Sequence, residues 1–69
     1  MKSNGPAITA IREGRGLTKS DLARIVGVDL SHLSRIESGQ RNGTPEQLQA
    51  IATALLVPVT AIIGTEAVA

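Results

Sequence analysis

The sequence predicts an all-α domain of five short helices. Three observations carry that prediction: apolar residues recur at three- and four-residue intervals, glycine and proline punctuate the chain where those stripes stop and start, and strand-like alternation is weak. With 69 residues and no cysteine, the chain reads as one domain over residues 1–69, with a core over about residues 6–64 and a tail over 65–69. Such a domain lies near the lower limit at which apolar burial alone sustains a fold.

Each element follows from its own signals. Pro6 suits the first position of a helix, where a missing N–H costs nothing, and Ile8 and Ile11 form a one-sided stripe before Gly14 stops helix 1. Thr18 starts helix 2: its hydroxyl can accept a free backbone N–H, and Asp21 makes a capping-box variant. Leu22 and Val26 lie one turn apart on its inner face, Ala23 is small enough for another helix to approach, and Gly27 tolerates the positive φ of a helix end. Val28 follows as a plug into the core. Asp29 offers a carboxylate cap to helix 3, which runs to about Ser38 before Gly39 and turns Leu33 and Ile36 inward. Thr44, Pro45 and Gln47 repeat the start code for helix 4, whose buried stripe is Leu48, Ile51, Ala52 and Leu55. Helix 5 spans roughly Val59 to Ile63, between Pro58 and Gly64; an extended reading of this stretch is opposed by Pro58. Gly64 to Ala69 reads as a frayed tail.

Leu22, Ala23, Val26, Gly27, Val28, Leu33 and Ile36 together describe two helices crossing through a tight glycine turn. That is a helix-turn-helix, a unit able to set its second helix in the major groove of DNA. An ordinary αα-hairpin needs the apolar spacing but not the small Ala23 coupled to Gly27.

Composition narrows the partner. The net charge of +1 says little, yet all seven Lys and Arg residues lie in residues 1–41 against four acids there, a net +3, while the rest carries only Glu46 and Glu66. The chain contains no aromatic residue, so base stacking of the single-strand or RNA-binding kind is unavailable, and duplex DNA is the better candidate. The absence of cysteine excludes a disulfide framework and thiolate metal sites. His32 has no second histidine or cysteine beside it, so neither a metal nor a cofactor is expected. Residues 1–6 are polar, and the greasiest run, residues 50–57, is far short of the roughly 20 apolar residues that span a bilayer. A cytoplasmic protein without membrane contact is expected. No small-molecule ligand is expected either, since so short a chain leaves no room for a sensing domain. Asp29, Ser31 and His32 supply triad residue types within four consecutive positions, where neighbours on a helix point different ways; no catalytic residue and no enzyme activity is expected.

The segment IREGRGLTKSDLARIVGVDLSHLSRIESGQRNGTPEQLQAIATALLV resembles the phage repressor and Cro-like helix-turn-helix family, often called the XRE family, and the likeness covers about Ile8 to Gly64. The resemblance implies a compact five-helix, lambda-repressor-like DNA-binding domain in which helix 2 braces on the DNA backbone and helix 3 enters the major groove. Two positions depart from the family: Lys19 stands where it often has glutamine, and Gly43 where it often has proline. Lys19 can still meet a phosphate, whereas Gly43 is expected to loosen the loop after helix 3.

Candidate roles follow. Arg35 carries a planar fork suited to guanine O6 and N7, Leu30 can touch a thymine methyl group, and Ser31 can donate or accept; Ser34 and His32 complete the base-reading set. Asp29 reads as a cap rather than a reader. Phosphates fall to Thr18 and Lys19 at the start of helix 2, then to Arg41, Asn42 and Arg15, with Arg24 a further contributor. The resemblance joins Arg12 and Glu37 in a partly buried ion pair between helices 1 and 3. Leu56, Val59 and Ile63 add apolar surface beyond what helix 4 needs, so they are the expected interface of a homodimer, Leu56 standing where the family often has glycine. The reading is a sequence-specific double-stranded-DNA-binding transcriptional regulator, a repressor, held as a dimer on a palindromic operator. Alternatives are a protein-binding helix-turn-helix, and an antitoxin or restriction-modification controller of the same fold.

Overall fold

Three of the four α-helices begin where a side chain takes up an unpaired N–H, and three end on a residue in left-handed backbone. The computed structural model describes residues 2–64, and within them the order is β1 (Lys2–Ser3), α1 (Gly5–Gly14), α2 (Lys19–Val26), α3 (Leu30–Ser38), α4 (Pro45–Leu55), a 3-10 turn (Val59–Ile62) and β2 (Ile63–Gly64). Asn4 caps α1 by accepting the Ala7 N–H at 3.2 Å, which starts the helix at Gly5, one residue ahead of the predicted Pro6. Thr18 and Asp21 form a reciprocal capping box at α2, and Thr44 and Gln47 form another at α4, each bond 3.0–3.1 Å long. Asp29 occupies the cap position of α3, but its side chain makes no capping bond, contrary to expectation. Its residue type suits the role; the bond is simply not made.

Gly27 and Gly39 close α2 and α3 at φ +85° and +87°. Leu56 closes α4 in the same left-handed region at φ +62°, without a glycine's freedom. Gly5 serves a different need: a Cβ there would overlap the Glu37 carbonyl oxygen, so α1 begins directly on the backbone at the end of α3.

The core is Ile8, Leu22, Ala23, Leu33, Ile36, Leu48, Ile51, Ala52, Leu55 and Ile62, drawn from all four α-helices and the 3-10 turn, with Ile11, Val26 and Val28 packed partly buried against it. The fifth predicted helix is corrected to that single 3-10 turn. Its short run after Pro58 cannot complete an α-helical hydrogen-bond ladder, and Ile62, not Val59 or Ile63, reaches the centre. Ile63 and Gly64 instead pair antiparallel with Lys2 and Ser3, in register Ser3↔Ile63 and Lys2↔Gly64, and the Asn4 N–H donates to the Ile62 carbonyl at 2.9 Å. Gly64 is therefore tied down rather than frayed; the remainder of the expected tail, 65–69, lies outside the described residues. Gly43 also departs from expectation. It is buried against Leu48 and Ile36, where an added Cβ would stand 3.2 Å from Leu48 Cδ2, so the glycine seats the loop on the core rather than loosening it. Among the described residues no helix is long and apolar enough to cross a membrane.

Candidate nucleic-acid interface

At about 100° per residue, Leu30, Ser34, Ser31, Arg35 and His32 follow one another around α3 over an arc of about 200°. Leu33, Ile36 and Glu37 fill the remainder and are buried. The outer arc is thus what the core leaves over. Its first edge borders a groove of about 850 Å3 whose walls are Leu30, Ser31 and Ser34 of α3 and Thr18, Lys19 and Ser20 at the start of α2, with Arg12 and Leu17 beneath. Two groups assigned separately from sequence, phosphate contacts on α2 and base readers on α3, share this concavity. Lys19 Nζ lies 3.5 Å from Ser34 Oγ across it. Ser20 was not singled out in the sequence, although its place beside Lys19 in the first turn of α2 marks it as a neighbour of the same N-terminus.

Electrostatics in the groove are mixed. The first turn of α2 directs N–H groups and the positive end of a helix dipole outward, which favours an anion. Asp21 in the same turn opposes this, but its carboxyl is held below its ordinary value by the Thr18 backbone N–H foremost, then by the Thr18 hydroxyl and by Arg24, whose Nη2 stands 3.0 Å from Asp21 Oδ1. Arg24 is engaged there.

Under the groove, Arg12 and Glu37 form a buried pair. Arg12 Nε donates to Glu37 Oε2 at 2.9 Å and Nη2 to Oε1 at 3.2 Å, while Nη1 donates to the Leu17 carbonyl at 2.8 Å. Thr9 Oγ1 donates to Glu37 Oε1 at 2.9 Å. Both charges are satisfied from several sides, the condition under which a buried pair is tolerated. Sequence reasoning missed Thr9, whose three-residue spacing from Arg12 puts the two on one face of α1. The Leu17 carbonyl carried no such signal.

The other candidates are dispersed. Arg35 and Arg41 are exposed, and the Arg41 N–H donates to the Arg35 carbonyl at 3.2 Å, which fixes the loop to the end of α3. Asn42 Oδ1 accepts from the backbone and hydroxyl of Ser3 at 3.3 and 3.2 Å. Arg15 is directed to the C-terminus of α4, where Nε donates to the Leu55 carbonyl at 2.9 Å and Nη2 reaches that of Leu56 at 3.4 Å. His32 is half-buried, with Nε2 3.3 Å from Gln47 Oε1 on α4. Leu56 is 75% exposed, whereas Val59 and Ile63 are half-buried. No cluster of His, Cys, Asp or Glu able to hold a metal occurs among the described residues.

Comparison with known proteins agrees with this geometry. The family model described as helix-turn-helix, HTH_3, matches residues 8–62. The HTH-type transcriptional repressor RghR of Bacillus subtilis is 41% identical over 59 residues, which is 84% of this chain and 44% of that protein. The immunity repressor protein of Bacillus phage phi105 is 40% identical over 62 residues, 90% of this chain and 43% of its own length. The chain therefore spans less than half the length of these curated relatives. Among solved structures, SinR, a master regulator for biofilm formation crystallised in complex with DNA, superposes with a TM-score of 0.77 at 33% identity, covering 81% of this chain and 90% of that one. With its glycine turn, buried Arg12–Glu37 pair and outward arc on α3, the chain belongs to the HTH_3 helix-turn-helix family, of the XRE type.

Proposed function

We propose that this chain is a sequence-specific duplex-DNA-binding transcriptional repressor and not an enzyme, with α3 as the helix that enters the major groove. The observation that carries the proposal is the shared groove: Thr18 and Lys19 border the same concavity as Leu30, Ser31 and Ser34, so one approach of a duplex serves both phosphate and base contacts. The naming of RghR and the phi105 protein as repressors supports it, as does the DNA in the SinR crystal. In this reading Arg35 is the principal base reader, with Ser31, Leu30, Ser34 and His32 beside it, and Lys19, Thr18, Arg41 and Asn42 meet phosphates. Arg15, occupied at the end of α4, has the weakest claim on a phosphate.

The working unit is a two-fold dimer on a palindromic site, closed over Leu56, Val59 and Ile63. Exposure of Leu56 in a strained backbone supports this: the residue bears a conformational cost that burial against a second copy would offset. Fluorescence anisotropy against random duplex at low salt tests the function directly. Affinity that falls steeply as salt rises is expected; absence of binding, or binding indifferent to salt, overturns the proposal.

A further inference from the structure

Two hydrogen bonds meet on one atom at the edge of α3 away from the groove. Gln47 Oε1 accepts the Thr44 backbone N–H at 3.0 Å and lies 3.3 Å from His32 Nε2. A backbone N–H is only a donor, so the atom facing it is the amide oxygen; a flipped amide would set NH2 against N–H. An amide oxygen has lone pairs and no proton to give. The proton between the two side chains therefore belongs to His32 Nε2, and in the neutral ring Nδ1 is left as an acceptor. The capping box that starts α4 thus also holds a side chain of α3.

His32 closes the outer arc, and Arg35, three residues on, stands on the same side of the helix. A guanidinium donates only, and this imidazole nitrogen accepts only. In the major groove the exocyclic donors are cytosine N4 and adenine N6, whereas guanine O6 and N7 and thymine O4 are acceptors that an acceptor nitrogen would repel.

We propose that Gln47 is a positioning residue that locks His32 in its Nε2–H form, so that His32 Nδ1 selects a base bearing an exocyclic amino group, cytosine or adenine, at one position of each half-site. The proposal rests on the DNA-binding reading above. It makes the start of α4 part of the specificity of α3 without any contact of Gln47 with a base.

The test combines imidazole 15N shifts of the full chain at pH 8, above the ordinary imidazole range, with selection of bound sequences from a random duplex pool. Wild type, His32→Ala, Gln47→Met and Gln47→Glu are compared. The wild-type ring is expected to carry its proton on Nε2, Gln47→Met to let it exchange between tautomers, and Gln47→Glu, which keeps both acceptor roles, to retain the wild-type form. His32→Ala should reduce the preference for cytosine or adenine at one half-site position by about 3- to 10-fold, the worth of one hydrogen bond. Gln47→Met should reduce it by less, and Gln47→Glu should preserve it. A wild-type ring protonated on Nδ1, a guanine or thymine preference at that position, or an unchanged His32→Ala consensus overturns the proposal while leaving DNA binding intact. A wild type that retains no duplex overturns the DNA-binding reading itself.

Discussion

The α2–α3 half and the α4–β2 half end their helices in the same left-handed geometry by different means. Gly27 and Gly39 adopt it with no Cβ to clash, whereas Leu56 adopts it at φ +62° and exposes its side chain to solvent. In the first half every turn residue suits its backbone. In the second, backbone comfort is given up for an apolar side chain on the outside, and a residue kept at such a cost is a candidate for contact rather than for folding. Helix α1 joins the halves: Arg12 is buried on Glu37 of α3, and Arg15, three residues on, caps the carbonyls of α4.

The largest effect is expected at that junction. Arg12→Met leaves Glu37 buried without its cation and should cost about 3 to 5 kcal/mol in thermal or denaturant unfolding, while Arg12→Met with Glu37→Leu should cost clearly less. Additive losses across the double-mutant cycle would show that the two residues are not coupled. Arg15→Ala, which removes only partly exposed hydrogen bonds at a helix end, should cost about 1 kcal/mol or less.

Next in size are the DNA effects at α2, α3 and the loop that follows α3. If a dimer neutralises about six to eight phosphates, log K should fall with log salt at a slope of about −5 to −7. Lys19→Ala or Arg41→Ala should weaken specific and random duplexes alike and flatten that slope by about 1 to 2 per dimer. Arg35→Ala should relax one base preference per half-site by about 1 to 3 kcal/mol, measured by competition between single-base operator variants. An unchanged Arg35→Ala consensus would move Arg35 to the phosphate group.

The first half was legible because its signals are local. Thr18 and Asp21 act within one turn, Gly27 supplies its own φ, and Leu22, Leu33 and Ile36 recur at helical spacing, so pattern alone placed α2, α3 and the outer arc. In the second half α4 is legible for the same reason, through Thr44, Pro45, Gln47 and its buried stripe, but the segment after it depends on contacts distant in sequence. Two-residue strands at Lys2–Ser3 and Ile63–Gly64 are too short to show alternation, and nothing local announces that they pair. The same limit applies within the site. His32 and Gln47 each have a role in the sequence reading, one in the base-reading set and one in the start code of helix 4, but their meeting depends on how α3 packs beside α4. Asp29 shows the converse, a residue of the right type whose bond is not made.

Exchanging the two kinds of helix end sharpens the contrast at about 1 kcal/mol. Gly27→Ala places a Cβ at φ +85° with no neighbour within 4 Å to relieve or worsen it, so it should cost about 1 to 2 kcal/mol of backbone strain. Leu56→Gly should do the opposite in the monomer and raise stability by up to about 1 kcal/mol at low protein concentration. In sedimentation equilibrium the same substitution should weaken self-association. A stabilised chain whose association is unchanged would remove Leu56 from the dimer interface and leave its strain without a use.

The smallest effect concerns the α2 capping box and is read as a pH dependence. Asp21 has a carboxyl lowered below its ordinary value, chiefly by the Thr18 N–H, because the charged form is the better acceptor for that donor. A depressed folded-state value means that the unfolded chain binds the proton more readily. The contribution is therefore fully present above the unfolded value, about pH 4, and is lost as pH falls through the lower folded value. Asp21→Asn keeps an oxygen for the Thr18 N–H but has no proton to take up. The Tm difference between wild type and Asp21→Asn should stay constant from neutral pH down to about pH 5 and then shrink with further acidification. A difference that widens on acidification would reverse the sign and show that the charged carboxylate opposes the helix it caps.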